Sequence, residues 1–186
     1  MGIKNQSVTQ GRTTLLDAVN VLLANIGEQP INSLETEQID ESKQAERTIL
    51  EFHKEGQTKG WSWNTEFQYP FQKDSVTKEI TVPENILQFA LDPYLYAGRY
   101  QLRGQRIYDL QERRYIMEET VTEIKADVIW LLPWDDVPEA YNRWVTIRAS
   151  RVFTARVLGS DALFKYTSKD ELDALIVLEC VEQQQE

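Results

Sequence analysis

Apolar residues near the start of the chain recur every three or four positions, which is the spacing of one face of a helix. The pattern predicts an amphipathic helix over residues 13–26. Its apolar positions are Leu15, Leu16, Val19, Leu22, Leu23 and Ile26. Thr13 or Thr14 suits the N-cap of this helix. Gly27 suits the left-handed position that follows the last turn, and Pro30 prevents the helix from continuing.

A second helical period covers residues 40–59. Ala45, Ile49 and Phe52 share one face, and Gly56 continues the row. A glycine inside a helix costs about 1 kcal/mol, so its presence at position 56 indicates that another helix passes close by. Gly60 is a natural stop for this helix.

From Trp61 onwards the period changes to two. Trp61, Trp63, Thr65, Phe67, Tyr69 and Phe71 alternate with mostly polar residues. This spacing predicts a half-buried strand, and strand signals continue to about Leu132. Residues 100–108 predict a hairpin that turns at Arg103–Gly104, residues 121–131 predict another strand, and residues 83–90 favour a short helical turn.

The helical period returns after Pro133. Asp136 suits an N-cap, with Pro138 in the first turn and Glu139 at the third position, and the helix is predicted to run to Leu158 and end at Gly159. A last helix is predicted from Ser160 to Val181. Its apolar side comprises Leu163, Phe164, Leu172, Leu175 and Ile176. A capping-box pattern over residues 168–171 leaves open that this helix breaks and restarts there.

These elements predict an α+β fold, in which a four-helix bundle from the N- and C-terminal segments carries a β-rich insertion in the middle. Each amphipathic helix buries one stripe, and four such stripes bury themselves most economically against one another. The predicted divisions are a flexible N-terminus (1–12), the first half of the bundle (13–60), the β-rich insertion (61–132), the second half of the bundle (133–182) and a flexible tail (183–186).

Charge and composition restrict the classes of function. The chain has 186 residues and a net charge of −10, from 30 acidic and 20 basic side chains. Such an acidic protein does not hold DNA by neutralising phosphates, although DNA can pass along it without being gripped. No apolar run approaches the ~20 residues that cross a bilayer, and the polar N-terminus does not resemble a signal peptide. With Cys180 as the single cysteine, we expect a soluble, intracellularly made protein without an internal disulfide and without a membrane partner.

Candidate catalytic residues are few. His53 is predicted to be a half-exposed structural histidine, and the sequence contains no motif for a cofactor, a phosphate or zinc. Asp135 and Asp136 are the only adjacent pair that suggests acid–base chemistry, but a helix cap explains Asp136 better. These aspartates, Glu118, Glu119 and the density of Trp and Tyr leave one alternative function, that of a carbohydrate-active protein, which hydrolyses or binds polysaccharide. Direct DNA binding is a third and weaker hypothesis.

The tryptophans and arginines favour protein contacts. The five tryptophans lie on periodic apolar rows, which is typical of core residues or protein–protein anchors. Acidic residues of the last helix are expected to pair with arginines of the helix before it, either within the chain or between neighbouring subunits. The candidate interface comprises Trp61, Trp63, Trp134, Arg148, Arg151, Arg156, Asp170 and Glu171.

Three stretches together resemble a known family. They are AVNVLLANIGEQPINSLE, QAERTILEFHKEGQTKGWSWNTE and DDVPEAYNRWVTIRASRVFTARVLGS. The chain resembles the tail tubular protein A family of short-tailed phages of the Autographiviridae type, which are head-to-tail adaptor or gatekeeper proteins. Both ends of the chain carry the resemblance, while residues 70–130 match it only loosely.

The resemblance implies a structural virion protein of the tail. It implies a dodecameric ring of identical subunits, docked on the portal protein, with the tail nozzle protein (tail tubular protein B) below. Duplex DNA would pass through the central channel without specific binding. We expect residues 160–186 to face the portal and the β-rich middle to face the nozzle. Because the sequence lacks the corresponding motifs, we predict neither a cofactor nor a metal site.

Overall fold

The computed structural model describes residues 11–35, 40–159 and 166–184. The chain divides into two compact units, which are described separately here. The first unit comprises Met1–Gly56 and Pro133–Glu186, and the second comprises Gln57–Leu132. Most of the predicted flexible N-terminus, the predicted helix start at Ser160 with Leu163 and Phe164, and the last two residues of the tail lie outside the described residues.

The described residues form a mixed α and β protein, as the predicted α+β class requires. The helices are α1 (Leu15–Asn25), α2 (Asp40–Gln57), α3 (Pro93–Tyr96), α4 (Glu139–Leu158) and α5 (Ser168–Gln183), with a 3₁₀ turn at Trp134–Asp136. The strands are β1 (Thr65–Gln72), β2 (Ile86–Leu91), β3 (Tyr100–Arg103), β4 (Arg106–Asp109) and β5 (Glu123–Trp130). No helix in the described ranges is both long enough and apolar enough to span a membrane.

Helix α1 begins and ends as its sequence predicts. The Thr14 hydroxyl accepts a hydrogen bond from the Asp17 backbone N–H at 3.1 Å, and the Asp17 carboxylate accepts one from the Thr14 N–H at 3.0 Å. This reciprocal pair satisfies backbone donors that the first turn leaves open. At the other end Gly27 has φ +84°, and the Glu28 N–H donates to the Leu23 carbonyl at 3.0 Å. The left-handed glycine therefore closes the helix.

Helix α4 is the common partner of the helices in the first unit. Both α1 and α5 pack on it, and the Tyr141 hydroxyl of α4 donates to the His53 carbonyl of α2 at 2.6 Å. The predicted passage of a helix close to Gly56 is confirmed, because a Cβ atom there would lie 2.6 Å from Trp144 Cζ3 of α4. These contacts do not show the four-helix bundle that the sequence predicted. They show three helices that each contact α4.

The predicted capping of α4 by Asp136 is wrong. Residues 134–136 form a 3₁₀ turn, Val137 is extended, and α4 begins at Glu139 after Pro138 without a side-chain cap. The Glu139 carboxylate instead accepts a hydrogen bond from the Thr13 N–H at 2.9 Å and a second, short one from the Thr13 hydroxyl. The acidic side chain that looked like part of a local cap therefore ties α4 to the residues before α1.

Helix α5 begins at Ser168, so the restart that the sequence left open is found. Its capping box lies one residue earlier than predicted, between Thr167 and Asp170. The predicted apolar side is also displaced, because Ala174 and Leu178 are the buried residues of α5 while Leu172 and Ile176 are exposed.

In the second unit, a three-stranded antiparallel sheet has the order β1-β5-β2, and β3 pairs with β4 in a hairpin. The predicted hairpin is confirmed, with Gly104 at φ +61° in its turn. The predicted helical turn over residues 83–90 is wrong, because Ile86–Leu91 pairs with β5. The core residues are Phe71, Ile80, Val82, Ile107, Met117, Ile124, Ala126 and Val128.

The first predicted strand begins later than its alternation suggested. Trp61 and Trp63 precede β1, which starts at Thr65. The register shifts between Glu66 and Tyr69, where Gln68 adopts a left-handed conformation with φ +54°. This bulge leaves Phe67 77% exposed, whereas the alternation had put it on the buried face.

Buried amide side chains join two segments of the second unit. The Asn64 amide donates to the Gln57 carbonyl at 3.1 Å and to the Trp130 carbonyl at 2.8 Å. The Gln57 amide donates to the Leu132 carbonyl at 3.0 Å and accepts from the Leu132 N–H at 2.9 Å. The segment that enters the unit is thereby fastened to the segment that leaves it.

Candidate interaction surfaces

Three of the four arginines of α4 point to carboxylates of the neighbouring helices. Arg148 Nη2 lies 2.9 Å from Glu55 Oε1 on α2, and Arg148 Nη1 lies 3.8 Å from Glu171 Oε1 on α5. The Arg148 guanidinium also lies over the Phe52 ring, 5.0 Å from its centroid. One arginine thus links three helices, and its charge is compensated within the chain.

The other two arginines of the candidate interface behave similarly. Arg151 forms a short ion pair with Glu171 and donates to the Ser168 hydroxyl at 2.9 Å. Arg156 Nη1 lies 3.1 Å from Glu51 Oε2. The expected pairing of α4 arginines with α5 acids therefore occurs inside the chain, and α2 supplies further carboxylates. Whether the same groups reach a neighbouring subunit stays a prediction.

Asp170 acts as a capping residue of α5. Its carboxylate accepts hydrogen bonds from the Thr167 hydroxyl at 2.7 Å and from the Thr167 backbone N–H at 2.6 Å. These hydrogen bonds, the one from the Thr167 side chain above all, lower the pKa of Asp170. The residue therefore fixes where α5 starts, and its predicted role at an interface stays a prediction.

The tryptophans of the candidate interface differ in exposure. Trp61 is buried and stacks on the partly exposed Trp63 with ring centroids 6.3 Å apart, while the Lys59 ammonium lies 4.3 Å from the Trp61 ring centroid. Trp134 is buried in the first unit, and its Nε1–H donates to the Thr13 carbonyl at 2.8 Å. Trp63 is therefore the member of this set with surface to offer a partner.

His53 is buried, so the prediction that it is half-exposed is wrong. Its ring centroid lies 5.4 Å from that of Trp134 and 5.7 Å from that of Tyr141. Burial also raises the pKa of Tyr141, whose hydroxyl therefore stays protonated as a hydrogen-bond donor. These rings form part of the core of the first unit.

Helix α5 presents an apolar surface to solvent, which we call the α5 outer face. Its members are Leu172, Ile176 and Val177, each about half exposed in the range 49–55%. Positions 172 and 176 lie one helical turn apart and so share a face. The sequence had assigned this side to the core of the bundle, and its exposure instead makes it a candidate contact surface.

The second unit has its own exposed apolar residues. Tyr94 is 96% exposed and Leu95 is 60% exposed, and both lie on the one-turn helix α3. The Asp92 carboxylate caps this turn by accepting from the backbone N–H groups of Tyr94 at 2.8 Å and Leu95 at 3.2 Å. The turn is therefore held in place although its side chains have little burial.

A ladder of arginines and tyrosines covers one face of the β3–β4 hairpin, and we call it the Arg–Tyr face. The Arg103 guanidinium lies 3.8 Å from the Tyr108 ring centroid, and the Arg106 guanidinium lies 4.1 Å from the Tyr115 ring centroid. The two tyrosine rings contact each other edge to face at 4.9 Å. Sequence reasoning missed this face, although the predicted turn at residues 103–104 already brings Arg103 close to Arg106.

An ion-pair network anchors the loop that follows β4. Arg99 donates to the buried Asp109 carboxylate through Nε at 2.9 Å and Nη2 at 2.7 Å, and it lies 3.0 Å from Glu118. Burial opposes the charge of Asp109, but hydrogen bonds from Arg99 and from the N–H groups of Glu112 and Gln111 outweigh it and lower the pKa of Asp109.

The carboxylates considered for catalysis do not form a recognisable acid–base pair. Asp135 and Asp136 are neighbours in the 3₁₀ turn of the first unit, while Glu118 and Glu119 belong to the second unit and face Arg99 and Lys78. Among the residues with described positions, no group of three or more His, Cys, Asp or Glu side chains is arranged to hold a metal ion. Cys180 is a free and exposed thiol.

Comparison with known proteins identifies the family. The model of the family described as "Tail tubular protein" matches residues 16–186, which include both units of the fold. No curated protein matches the chain. The resemblance seen in the sequence is confirmed at the level of this family. The chain therefore belongs to the tail tubular protein family, which places it in the virion tail of a bacteriophage as a structural component.

Proposed function

We propose that the chain is the adaptor subunit between portal and tail nozzle. In this proposal identical copies form a closed ring, a dodecamer, around a central channel through which duplex DNA passes. The observation that carries the proposal is the exposure of apolar surface in both units of one chain, on the α5 outer face and at Tyr94 and Leu95. A ring subunit needs several different contact surfaces, because a rotationally closed ring joins two unlike faces of each copy and must also dock on its partners.

The α5 outer face supports the assignment of residues 160–186 to the portal side. Helix α5 is fixed on α4 through buried Ala174 and Leu178 and through the ion pairs of Glu171. Its opposite side carries Leu172 and Ile176 into solvent. A helix that is held on one side and apolar on the other suits a groove in a partner protein.

The second unit supports the assignment of the β-rich middle to the nozzle side. Tyr94 projects from a turn that Asp92 holds in one conformation. An exposed aromatic side chain on an ordered backbone costs no further backbone entropy on binding, and aromatic residues often dominate interface energies. We propose that this turn and the exposed Phe67 contact the nozzle protein.

The helices of the first unit would then serve as the rigid part of the ring. We propose that α1, α2, α4 and α5 together act as a four-helix bundle, in which α4 is the central element. The Arg148 contacts to Glu55 and Glu171 connect three of these helices. The net charge of −10 suits a wall that DNA passes without adhering, since like charges repel.

Mass measurements of mixtures test this function. The purified chain is incubated with the portal protein of its own phage, and the particle mass is followed by mass photometry before and after addition of the nozzle protein. We expect a complex with several copies of the chain on each portal, and we expect the nozzle protein to join only when the chain is present. A chain that stays monomeric beside its portal contradicts the proposal.

A further inference from the structure

The Arg–Tyr face of the β3–β4 hairpin places two positive charges opposite each other. Arg103 and Arg106 are directly opposite each other in the hairpin register, and like charges in that position destabilise a strand pair. The other face of the hairpin carries the buried Ile107. The hairpin therefore has its own apolar anchor, and the two facing arginines lie on its other side, where they stack on Tyr108 and Tyr115.

The positive charges of the two arginines are compensated to different extents. Arg106 lies 3.2 Å from Glu79 Oε1. Arg103 stacks on Tyr108 and reaches the Gln101 amide oxygen at 3.4 Å, but it has no carboxylate partner among the described residues. Stacking on a ring leaves the N–H groups at the edge of a guanidinium available for an acidic ligand. The face is thus ordered and basic, and no carboxylate of the described residues compensates the charge of Arg103.

The charges of the two units are unequal. The second unit has 11 acidic and 9 basic side chains, and five of its arginines fall within residues 99–114. The first unit has 19 acidic and 11 basic side chains. The first unit of another copy is therefore an acidic surface of the kind that the Arg–Tyr face would attract.

Asp135 and Asp136 are two adjacent acidic residues on the surface of the first unit. Both are exposed in the 3₁₀ turn between Pro133 and Pro138. The Arg12 guanidinium donates to the Asp135 backbone carbonyl at 2.8 Å, but in the described part of the chain neither carboxylate takes part in an ion pair or a side-chain hydrogen bond. Exposed carboxylates on a short, proline-bounded turn can supply the acidic partner that Arg103 lacks.

We propose that the Arg–Tyr face of one copy binds the acidic turn at Asp135 and Asp136 of the next copy, which makes it one side of the contact between ring subunits. The inference rests on the proposed ring and names a contact within it. The contact joins two unlike surfaces, so it can repeat around a ring and close.

Paired charge reversals test this contact. The first variant is Arg103→Glu, and the second is Asp135→Lys/Asp136→Lys. Each variant alone sets like charges against each other at every subunit contact, so we expect assembly on the portal to weaken at least about tenfold. In a one-to-one mixture the two variants can alternate around the ring, so that every contact pairs opposite charges, and we expect the mixture to assemble like wild type. Lys125→Glu, which changes the net charge by the same amount as Arg103→Glu, should assemble normally.

Several results would overturn the inference. Either variant alone assembling like wild type excludes the contact, and so does a mixture that assembles no better than its components. If Arg103→Glu assembles normally but loses retention of duplex DNA at low salt, the face binds nucleic acid instead; if it loses only the nozzle protein, that protein is the occupant. Circular dichroism checks that each variant folds. If one does not, Arg103→Gln and Asp135→Asn/Asp136→Asn replace them, and each is expected to weaken assembly.

The same experiments distinguish a failure of the proposed ring from a failure of the proposed contact. If wild type fails to assemble on its portal, the proposed adaptor function fails. If wild type assembles and the charge reversals assemble equally well, only the assignment of this contact fails.

Discussion

A Cβ atom on Gly56 would lie 2.6 Å from Cζ3 of Trp144, which is closer than side-chain atoms pack in folded proteins. The absence of a side chain at position 56 lets α2 and α4 approach each other. The same space admits the Tyr141 hydroxyl, which donates to the His53 carbonyl one turn earlier on α2. The packing of α2 on α4 thus requires glycine at position 56.

Replacement of Gly56 by Ala should therefore destabilise the protein although alanine favours helices. Alanine gains about 1 kcal/mol in helix propensity, but the clash with Trp144 and Tyr141 costs more, and we expect a net loss of about 1–3 kcal/mol. Chemical denaturation measures the free energy of unfolding. Trp144→Phe removes the clashing ring atoms, so the double variant should lose less than the sum of the two single variants. Strict additivity, or a stabilised Gly56→Ala variant, contradicts the close approach.

Leu172 and Leu178 offer a matched comparison on α5. Leu178 is 1% exposed and Leu172 is 55% exposed. We expect Leu178→Ala to destabilise the first unit by about 2–4 kcal/mol because it removes the anchor of α5 on α4. Leu172→Ala should leave the free energy of unfolding within about 0.5 kcal/mol and instead weaken binding to the portal. A loss of stability in Leu172→Ala would show that the α5 outer face is part of the fold.

Asp109 should make the stability of the second unit depend on pH. Its pKa is lowered in the folded protein by hydrogen bonds from Arg99 and two backbone N–H groups, against the opposing effect of burial. A carboxyl group with a lowered folded pKa stabilises the fold above its unfolded pKa of about 4. That stability is lost as the pH falls through the folded pKa.

The variant Asp109→Asn removes this charge while keeping the shape of the side chain. We expect it to lose about 2–3 kcal/mol at neutral pH, because the hydrogen bonds to a charged group are weakened and Arg99 keeps only Glu118. The difference from wild type should begin to shrink as the pH falls below the unfolded pKa of about 4, and it should be smallest below the lowered folded pKa of Asp109, where both side chains are neutral. Thermal unfolding at a series of pH values measures it. A difference that stays constant down to pH values well below that range contradicts the assignment.

Asn64 should be critical for the second unit. Its side chain donates to the Gln57 and Trp130 carbonyls and accepts from the Trp61 N–H at 2.7 Å. Asn64→Ala leaves these buried backbone groups unsatisfied, at a cost of about 2–4 kcal/mol. Hydrogen exchange should then be faster at the Trp61 amide, which loses its acceptor. Asn85→Ala is a control, since its amide lies on the surface 3.5 Å from the Leu131 carbonyl, and it should change little.

The elements that could be predicted from the sequence are those whose signals are local. Thr14, Asp17 and Gly27 fix the ends of α1 within a few residues of chain, and Gly104 marks the turn of the hairpin. The close approach at Gly56 was also predictable, because an unexplained glycine in a helix has few other causes. The family resemblance likewise rested on local sequence, in the segments toward both ends of the chain.

Other features depend on partners that are distant in sequence. Strand β2 follows Pro83 and has an apolar composition without a clear period, and only its pairing with β5 makes it a strand. The exposure of Phe67 results from a bulge at Gln68 that local alternation does not reveal. Glu139 looked like part of a local cap, but it accepts hydrogen bonds from Thr13, which lies 126 residues earlier in the chain. In each case long-range pairing outweighed the local preference.

The candidate surfaces were likewise predictable from the sequence only in part. The pairing of α4 arginines with α5 acids followed from their charges, yet the partners of Arg148 and Arg156 on α2 were not foreseen. The apolar stripe of α5 was recognised but assigned to the core, because hydrophobicity alone does not tell a buried face from one that awaits a partner. The Arg–Tyr face required the register of the hairpin as well as its sequence.

Electron microscopy of the chain incubated with the portal of its own phage tests the adaptor function most directly. Class averages viewed along the channel should show a closed ring of density added to one end of the portal, with the portal's symmetry and an open centre. Portal particles that look the same with and without the chain, at concentrations where both proteins are folded, would contradict the account.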